Sequence, residues 1–209
     1  AGMVYMQDPG AMASLAGGPN LEGKLCLDLC AAPGGKSFAA AMAMGGTGHI
    51  TSCDIHLHKT QLIQNGAQRL GLSNITTCHQ DAAEFVPQWE SAMDAVIADV
   101  PCSGYGIIRK KPDIRYKDPD TMKDLPQLQL AILENQARYV RPGGVLLYST
   151  CTLLYRENEG VVEQFLAKHP EFHTEPLPLP DALPKNENGM FALVSGQYDT
   201  DGFFICRLR

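Results

Sequence analysis

The chain has 209 residues, of which 44% are hydrophobic and 19% charged, and these proportions exclude a largely disordered protein. No apolar run reaches the roughly 18 residues that a membrane helix needs, and residues 1–10 lack the features of a secretion signal. The net charge of −6 argues against a protein that binds nucleic acid over its whole surface. A nucleic-acid-binding region would then be a local basic patch or another domain.

The seven cysteines are scattered, mostly inside apolar runs, and no Cys-x-x-Cys pair occurs. An odd and dispersed set indicates free thiols in a reducing cytoplasm rather than a disulfide framework. The missing Cys-x-x-Cys spacing predicts that there is no structural zinc site, and no other metal is expected.

Short apolar strands alternate with helices along the chain. Strands are predicted at residues 25–30, 49–54, 74–78 and 95–99, with helices at 37–44 and 58–70. A loop at 100–119 is followed by a helix at 125–140 that ends at Pro-Gly-Gly, a strand at 145–149 and a helix at 157–168. Further strands are expected around Phe172, at 191–194 and at 203–208. The alternation predicts an α/β fold, with a parallel sheet covered by helices on both faces and a ligand site at the carboxyl ends of the strands.

The turn after the first strand, Ala-Ala-Pro-Gly-Gly-Lys at residues 31–36, can be interpreted as one of three kinds of nucleotide site. A dinucleotide site would need Gly-x-Gly-x-x-Gly, which is absent. A P-loop would explain Lys36 and Ser37, but its first glycine would fall on Cys30. S-adenosylmethionine suits the turn, because Asp54 at the end of the second strand can accept hydrogen bonds from ribose hydroxyls. Asp81, after the third strand, can accept from the adenine amino group.

Two cysteines follow neighbouring strands, in Asp99-Val-Pro-Cys102-Ser-Gly and in Ser149-Thr-Cys151-Thr. Their thiols are expected to face one cavity. A thiolate that adds to carbon 6 of cytosine makes carbon 5 nucleophilic enough to accept a methyl group. Asp99 is placed to stabilise charge on ring nitrogen 3, and the turn near Arg156 could lower the pKa of Cys151. The residues alone leave open which cysteine attacks.

The ordered motifs, from Leu-Asp-Leu-Cys-Ala-Ala-Pro-Gly-Gly-Lys-Ser at 27–37 to Ser-Thr-Cys-Thr at 149–152, resemble those of the Sun/Nop-type RNA cytosine-5 methyltransferases. The resemblance implies a Rossmann-like class I S-adenosylmethionine-dependent fold with a mostly parallel seven-stranded sheet. It assigns attack to Cys151, and proton removal and product release to Cys102, whereas DNA cytosine-5 methyltransferases attack with the Pro-Cys cysteine. It also implies that S-adenosylmethionine is lined by Cys30, Ala31, Ala32, Pro33, Gly34, Gly35, Lys36, Asp54, Asp81 and Asp99.

Ribosomal RNA is the substrate that the resemblance favours, with transfer RNA as the alternative. The basic loop after Cys102 is expected to contact RNA beside a splayed or flipped base, through Arg109, Lys110, Lys111 and Arg115. Residues 1–209 are expected to be a single catalytic domain of a longer protein, because relatives carry an RNA-binding domain that this chain lacks. The combined presence of Asp99, Cys102 and Cys151 argues against a scaffold that has lost catalysis. Residues 176–198 match nothing that we can assign.

Overall fold

A computed structural model describes residues 4–16, 18–181, 183–197 and 199–209, so Ala182 and Tyr198 of the unassigned segment lie outside it. Seven strands form one sheet: β1 Leu25–Asp28, β2 His49–Asp54, β3 Ile75–His79, β4 Met93–Asp99, β5 Val140–Thr150, β6 Met190–Leu193 and β7 Phe203–Leu208. Five α-helices surround it in the described residues: α1 Pro9–Ala16, α2 Gly35–Ala43, α3 Leu57–Leu70, α4 Leu125–Ala137 and α5 Glu159–Lys168.

The strand order is β3-β2-β1-β4-β5-β7-β6. The first five strands of this order pair in parallel, and β7 runs antiparallel to both β5 and β6. The predicted mostly parallel, seven-stranded sheet is therefore confirmed. Asp99 lies opposite Ser149 in the β4–β5 register, so the two cysteine motifs leave the sheet side by side.

Helices cover both faces of the sheet, as its hydrophobic strands require. On β4, Val96 and Ala98 belong to the core that α4 and α5 complete. The alternating residues Ala95 and Ile97 pack with α2 on the opposite face. This double burial explains why β4 appears in the sequence as a continuous apolar run rather than as an alternating one.

Three predicted elements differ from the structure by more than two residues or are absent from it. The helix predicted to reach residue 140 ends at Ala137, and β5 begins at Val140, well before the predicted strand at 145–149. The early turn buries Tyr139 completely and lets its carbonyl accept a hydrogen bond from the Met93 N–H. No strand forms around Phe172, whose ring packs edge-on against Phe165 instead.

Helix α1 was not predicted. Its sequence, Pro-Gly-Ala-Met-Ala-Ser-Leu-Ala, contains no charged residue and so shows no polar face. The available signal was Asp8-Pro9, because Asp8 Oδ1 accepts the Gly10 N–H at 2.8 Å and Pro is favoured at the first helical position. Within the described ranges, no helix is long and apolar enough to cross a membrane, and no group of His, Cys, Asp and Glu side chains could hold a metal ion.

Candidate active site

The buried side chain of Asp28 hydrogen-bonds to both sides of the turn between β1 and α2. One oxygen of this buried carboxylate accepts the Ser37 hydroxyl at 2.8 Å, and the other accepts the Cys30 N–H at 3.3 Å. Gly34 has a φ of 109°, and a Cβ at this position would collide with the Phe38 ring. Glycine is therefore required where the turn enters α2.

Asp54 and Asp81 hold the next two turns of the same sheet edge. Asp54 Oδ1 accepts the His56 N–H at 2.9 Å, and Asp81 Oδ1 accepts the Ala83 N–H at 2.8 Å. Among the described residues, no donor lies within hydrogen-bonding distance of the second oxygen of either carboxylate. Each aspartate can therefore shape its turn and still accept a hydrogen bond from a ligand.

A cavity of about 470 Å³ lies along this edge, within the usual size range of small-molecule sites. It brings together six residues that the sequence placed at strand ends: Cys30, Asp54, Asp81, Asp99, Cys102 and Cys151. Ala32 of the glycine-rich turn also lines it, and the lining residues that the sequence did not single out include Ile55, Lys59, Leu128 and Ile132. Apolar walls and a few convergent polar groups are typical of a nucleoside-sized site.

A second cavity, of about 210 Å³, lies on the other side of the glycine-rich turn. It contains Gly35 and Lys36, and it shares Ala32 and Asp99 with the larger cavity. Its outer wall is residues 5–8, which sequence reasoning missed because they carry no recognisable motif.

The two cysteines predicted to share a cavity are in contact. Their sulfur atoms lie 3.1 Å apart. The pKa of the Cys151 thiol is lowered, mainly by the hydrogen bond from Cys102 and further by the charge of Lys36, against the opposing effects of burial and Asp99. The pKa of Cys102 is raised by the same hydrogen bond and by burial. The ionised sulfur of the pair is therefore assigned to Cys151.

Two backbone hydrogen bonds oppose this assignment, because the N–H of Cys151, 3.3 Å from Cys102 Sγ, and the N–H of Gly104 both lower the pKa of Cys102. We give more weight to Lys36, a full positive charge that is among the main causes of the lowered pKa of Cys151 and is not among the main causes of the shift at Cys102. Arg156, which the sequence suggested for this effect, is exposed, and the cation that acts is Lys36. Burial raises the pKa of Cys26 to about 12 and raises those of Cys30, Cys53 and Cys206, so these thiols stay protonated.

Lys36 and Asp99 form an ion pair beside the cysteines. The ammonium lies 2.6 Å from Asp99 Oδ2, and the Ser149 hydroxyl donates to Oδ1 at 2.7 Å. Lys36 also lies 5.4 Å from the centre of the Phe203 ring. Its side chain is thus directed at Asp99, which lines both cavities, whereas Lys36 itself lines only the smaller one.

The basic loop after Cys102 has two halves, and only the first is held by ion pairs. Lys110 bridges Asp8 and Asp201 at 2.7 and 2.6 Å, and Arg109 pairs with Asp199 at 3.0 Å. These contacts fasten the loop to residues near α1 and β7. Lys111 and Arg115 are exposed and form no ion pair within the described ranges, so they are the two predicted RNA contacts whose charge is free.

Residues 19–209 match the family model described as "16S rRNA methyltransferase RsmB/F". The chain belongs to this family. A relative from Bacillus subtilis named "Probable ribosomal RNA small subunit methyltransferase B" is 40% identical over all of this chain and 48% of its own length. A structure of NSun6 from Pyrococcus horikoshii with SFG has 28% identity and a TM-score of 0.86 over 98% of this chain and 52% of that one. The chain thus spans about half the length of these proteins.

More distant structures share the fold alone. A SAM-dependent O-methyltransferase from Thermotoga maritima is 17% identical, with a TM-score of 0.57 over 99% of this chain and 66% of that one. The predicted class I methyltransferase fold is confirmed, as is S-adenosylmethionine as the cofactor of this family. The dinucleotide and P-loop interpretations are thereby excluded.

Proposed function

We propose that this chain is the catalytic part of an S-adenosylmethionine-dependent RNA (cytosine-5)-methyltransferase that acts on small-subunit ribosomal RNA through a covalent Cys151 adduct. The observation that carries the proposal is the thiol pair, in which Cys151 has a lowered pKa and Cys102 lies 3.1 Å away. The choice of ribosomal RNA rests on the names of the family and its relatives.

The residues present fit the cofactor. The cavity of about 470 Å³ leaves room for a nucleoside with an amino-acid side chain. The second oxygen of Asp54 would accept the ribose hydroxyls, and that of Asp81 the adenine amino group. When bound, S-adenosylmethionine supplies an electrophilic methyl group. We assign Lys36 to the cytosine ring of the substrate rather than to the cofactor, because its ammonium contacts Asp99.

Cys151 would attack carbon 6 of cytosine as a thiolate, forming a carbon–sulfur bond and moving an electron pair toward ring nitrogen 3. The Lys36–Asp99 pair borders the cavity that holds Cys151 and could donate the proton that nitrogen 3 then needs. Carbon 5 thereby becomes the nucleophile that accepts the methyl group.

Once Cys151 is bonded to carbon 6, it no longer carries the charge that raises the pKa of Cys102, so Cys102 could lose its own proton to solvent and act as the base that takes the carbon-5 proton. The ring double bond then re-forms, the electron pair of the carbon–sulfur bond returns to Cys151, and the proton on nitrogen 3 returns to the Lys36–Asp99 pair. Cys102 suits this step, because its S–H already donates to the Cys151 sulfur in the free protein. The hydrogen bond that lowers the pKa of Cys151 also makes it a better leaving group. One contact would therefore serve both the attack and the release.

The RNA must present an unstacked cytosine at this site. Lys111 and Arg115 are exposed on the loop that follows Cys102 and would hold the flanking phosphates. With a net charge of −6, the chain would need a further RNA-binding domain for most of its affinity.

The test is methyl transfer from labelled S-adenosylmethionine to small-subunit ribosomal RNA and, in parallel, to transfer RNA, with nucleosides identified by mass spectrometry. We expect 5-methylcytosine in ribosomal RNA only, and no product with Cys151→Ala. The Cys102→Ala variant should accumulate an RNA adduct that survives denaturing electrophoresis. Methylation by Cys151→Ala would contradict the nucleophile, and methylation confined to transfer RNA would contradict the substrate.

A further inference from the structure

Behind the two cysteines lies a buried carboxylate that neither cavity contacts. Glu157 follows Cys151 in the chain and is 0% exposed. Its Oε2 accepts the Ser103 N–H at 2.8 Å and the Gln129 side-chain N–H at 3.0 Å. The other oxygen, Oε1, has no hydrogen-bond partner among the described residues, so burying this carboxylate has a cost that some gain must offset.

Gln129 holds the other side of the same loop. Its amide also donates to the Pro101 carbonyl at 2.9 Å. Pro101 and Ser103 flank Cys102, so Gln129 and Glu157 together fix the backbone on both sides of the thiol. The Ser103 hydroxyl adds a 2.9 Å hydrogen bond to Thr152, the residue after Cys151. The two cysteine loops are therefore joined by a buried polar network.

This network fixes how far apart the sulfur atoms lie. Cys102 is carried by a loop, and an S–H···S contact of 3.1 Å would lengthen if that loop moved by a fraction of an ångström. Helix α4 supplies Gln129 and the segment after β5 supplies Glu157, so the loop is anchored to two other parts of the fold. Neither side chain lines either cavity.

We propose that Gln129 and Glu157 are positioning residues for Cys102, acting on the release step and on the ionisation of Cys151. This inference rests on the proposed function for its catalytic consequence. If the anchoring is lost, Cys102 no longer donates reliably to Cys151. Methyl transfer then still occurs once, but the departing thiolate is no longer stabilised and the covalent adduct persists.

The test compares two disruptive variants, Gln129→Leu and Glu157→Met, with the conservative variant Glu157→Gln. The glutamine at 157 keeps an oxygen that can accept from the Ser103 N–H and from the Gln129 side-chain N–H, as Glu157 Oε2 does. We expect the disruptive variants to retain the first methyl transfer, to turn over roughly ten-fold more slowly and to accumulate adduct. Glu157→Gln should behave like the unmodified protein.

Gln136→Leu is the matched control. Gln136 is on the same helix, is equally buried at 0% exposure, and has no hydrogen-bond partner for either side-chain polar atom within the described ranges. Its substitution should leave the adduct level unchanged. Thermal unfolding of each variant identifies any loss of fold. If Glu157→Met does not fold, the comparison of Gln129→Leu with Gln136→Leu tests the positioning role.

A second readout needs no RNA. Because the hydrogen bond from Cys102 is the main cause of the lowered pKa of Cys151, Gln129→Leu should move the midpoint of Cys151 alkylation by iodoacetamide to higher pH. Gln136→Leu should not. If Cys102→Ala traps an adduct but folded Gln129→Leu neither traps one nor shifts the midpoint, the positioning role is refuted. If Cys102→Ala traps none, the proposed release step fails, and the alkylation midpoint still decides the positioning role.

Discussion

The ammonium of Lys36 and the carboxylate of Asp99 lie 2.6 Å apart, although 63 residues separate them in sequence. Lys36 is 8% exposed and the Asp99 side chain 31%, so the ammonium is largely shielded from water and its charge acts strongly on its surroundings. A buried ion pair is weak evidence for stability, because desolvation offsets much of its attraction. Its position beside Cys151 indicates a chemical role instead.

Replacing Lys36 by Met should make Cys151 less reactive near neutral pH. The charge of Lys36 lowers the pKa of Cys151, so its removal raises that pKa and moves the alkylation midpoint to higher pH. Lys36→Arg keeps the charge and should leave the midpoint close to that of the unmodified protein. Mass spectrometry of the peptide that contains Cys151, over a pH series, measures the effect. Equal midpoints for Lys36→Met and the unmodified protein would rule out this influence.

The substitution Asp54→Asn should weaken S-adenosylmethionine binding. Asparagine can still accept the His56 N–H through Oδ1, so the turn is preserved while the charged acceptor for the ribose is lost. A hydrogen bond to a charged group contributes about 1.5–3 kcal/mol, which corresponds to a roughly ten-fold or greater rise in Kd. Titration calorimetry measures it. Asp181→Asn, at an exposed position outside both cavities, should bind as the unmodified protein does, and an unchanged Kd for Asp54→Asn would contradict the ribose contact.

The sequence was most informative at the strand ends. The bounds of β2 and β7 were predicted to the residue, since each is a short β-branched or aromatic run with clear flanks. The parallel order then brings Asp54, Asp99 and Cys151 to one edge, and all three line one cavity. Residue type and strand order are enough for that inference.

Side-chain partners could not be predicted in the same way. Lys36 appeared to belong to the cofactor turn, but its tertiary partner is Asp99. Glu157 was expected to begin a helix, and it lies instead in a short 3-10 turn with its carboxylate fully buried. Hydrophobic periodicity carries no information about which polar groups meet in the interior, because such pairs depend on the packing of distant elements.

The carboxyl group of Asp28 is buried beneath the glycine-rich turn, where the residue is 1% exposed. Burial raises its pKa from 3.8 to about 7, and the Ser37 hydrogen bond only partly opposes this effect. Between these two values the folded protein holds a proton that the unfolded chain releases. The stabilisation that this proton brings is complete when the pH is below the pKa of Asp28 in the unfolded chain. It is lost as the pH rises through the pKa of Asp28 in the folded protein.

Asp28→Asn replaces the titrating group by a permanently neutral one, and its amide oxygen can still accept from Ser37 or Cys30. The free energy of unfolding of the variant, relative to the unmodified protein, should therefore increase as the pH is raised from 5 to 8. Urea unfolding at several pH values measures this difference, and Asp181→Asn serves as an exposed control that should show no such trend. A difference that stays constant over the same range would mean that Asp28 is already ionised in the folded protein. The base of the turn would then carry a buried negative charge beside Lys36 and Asp99, both of which influence the pKa of this carboxyl.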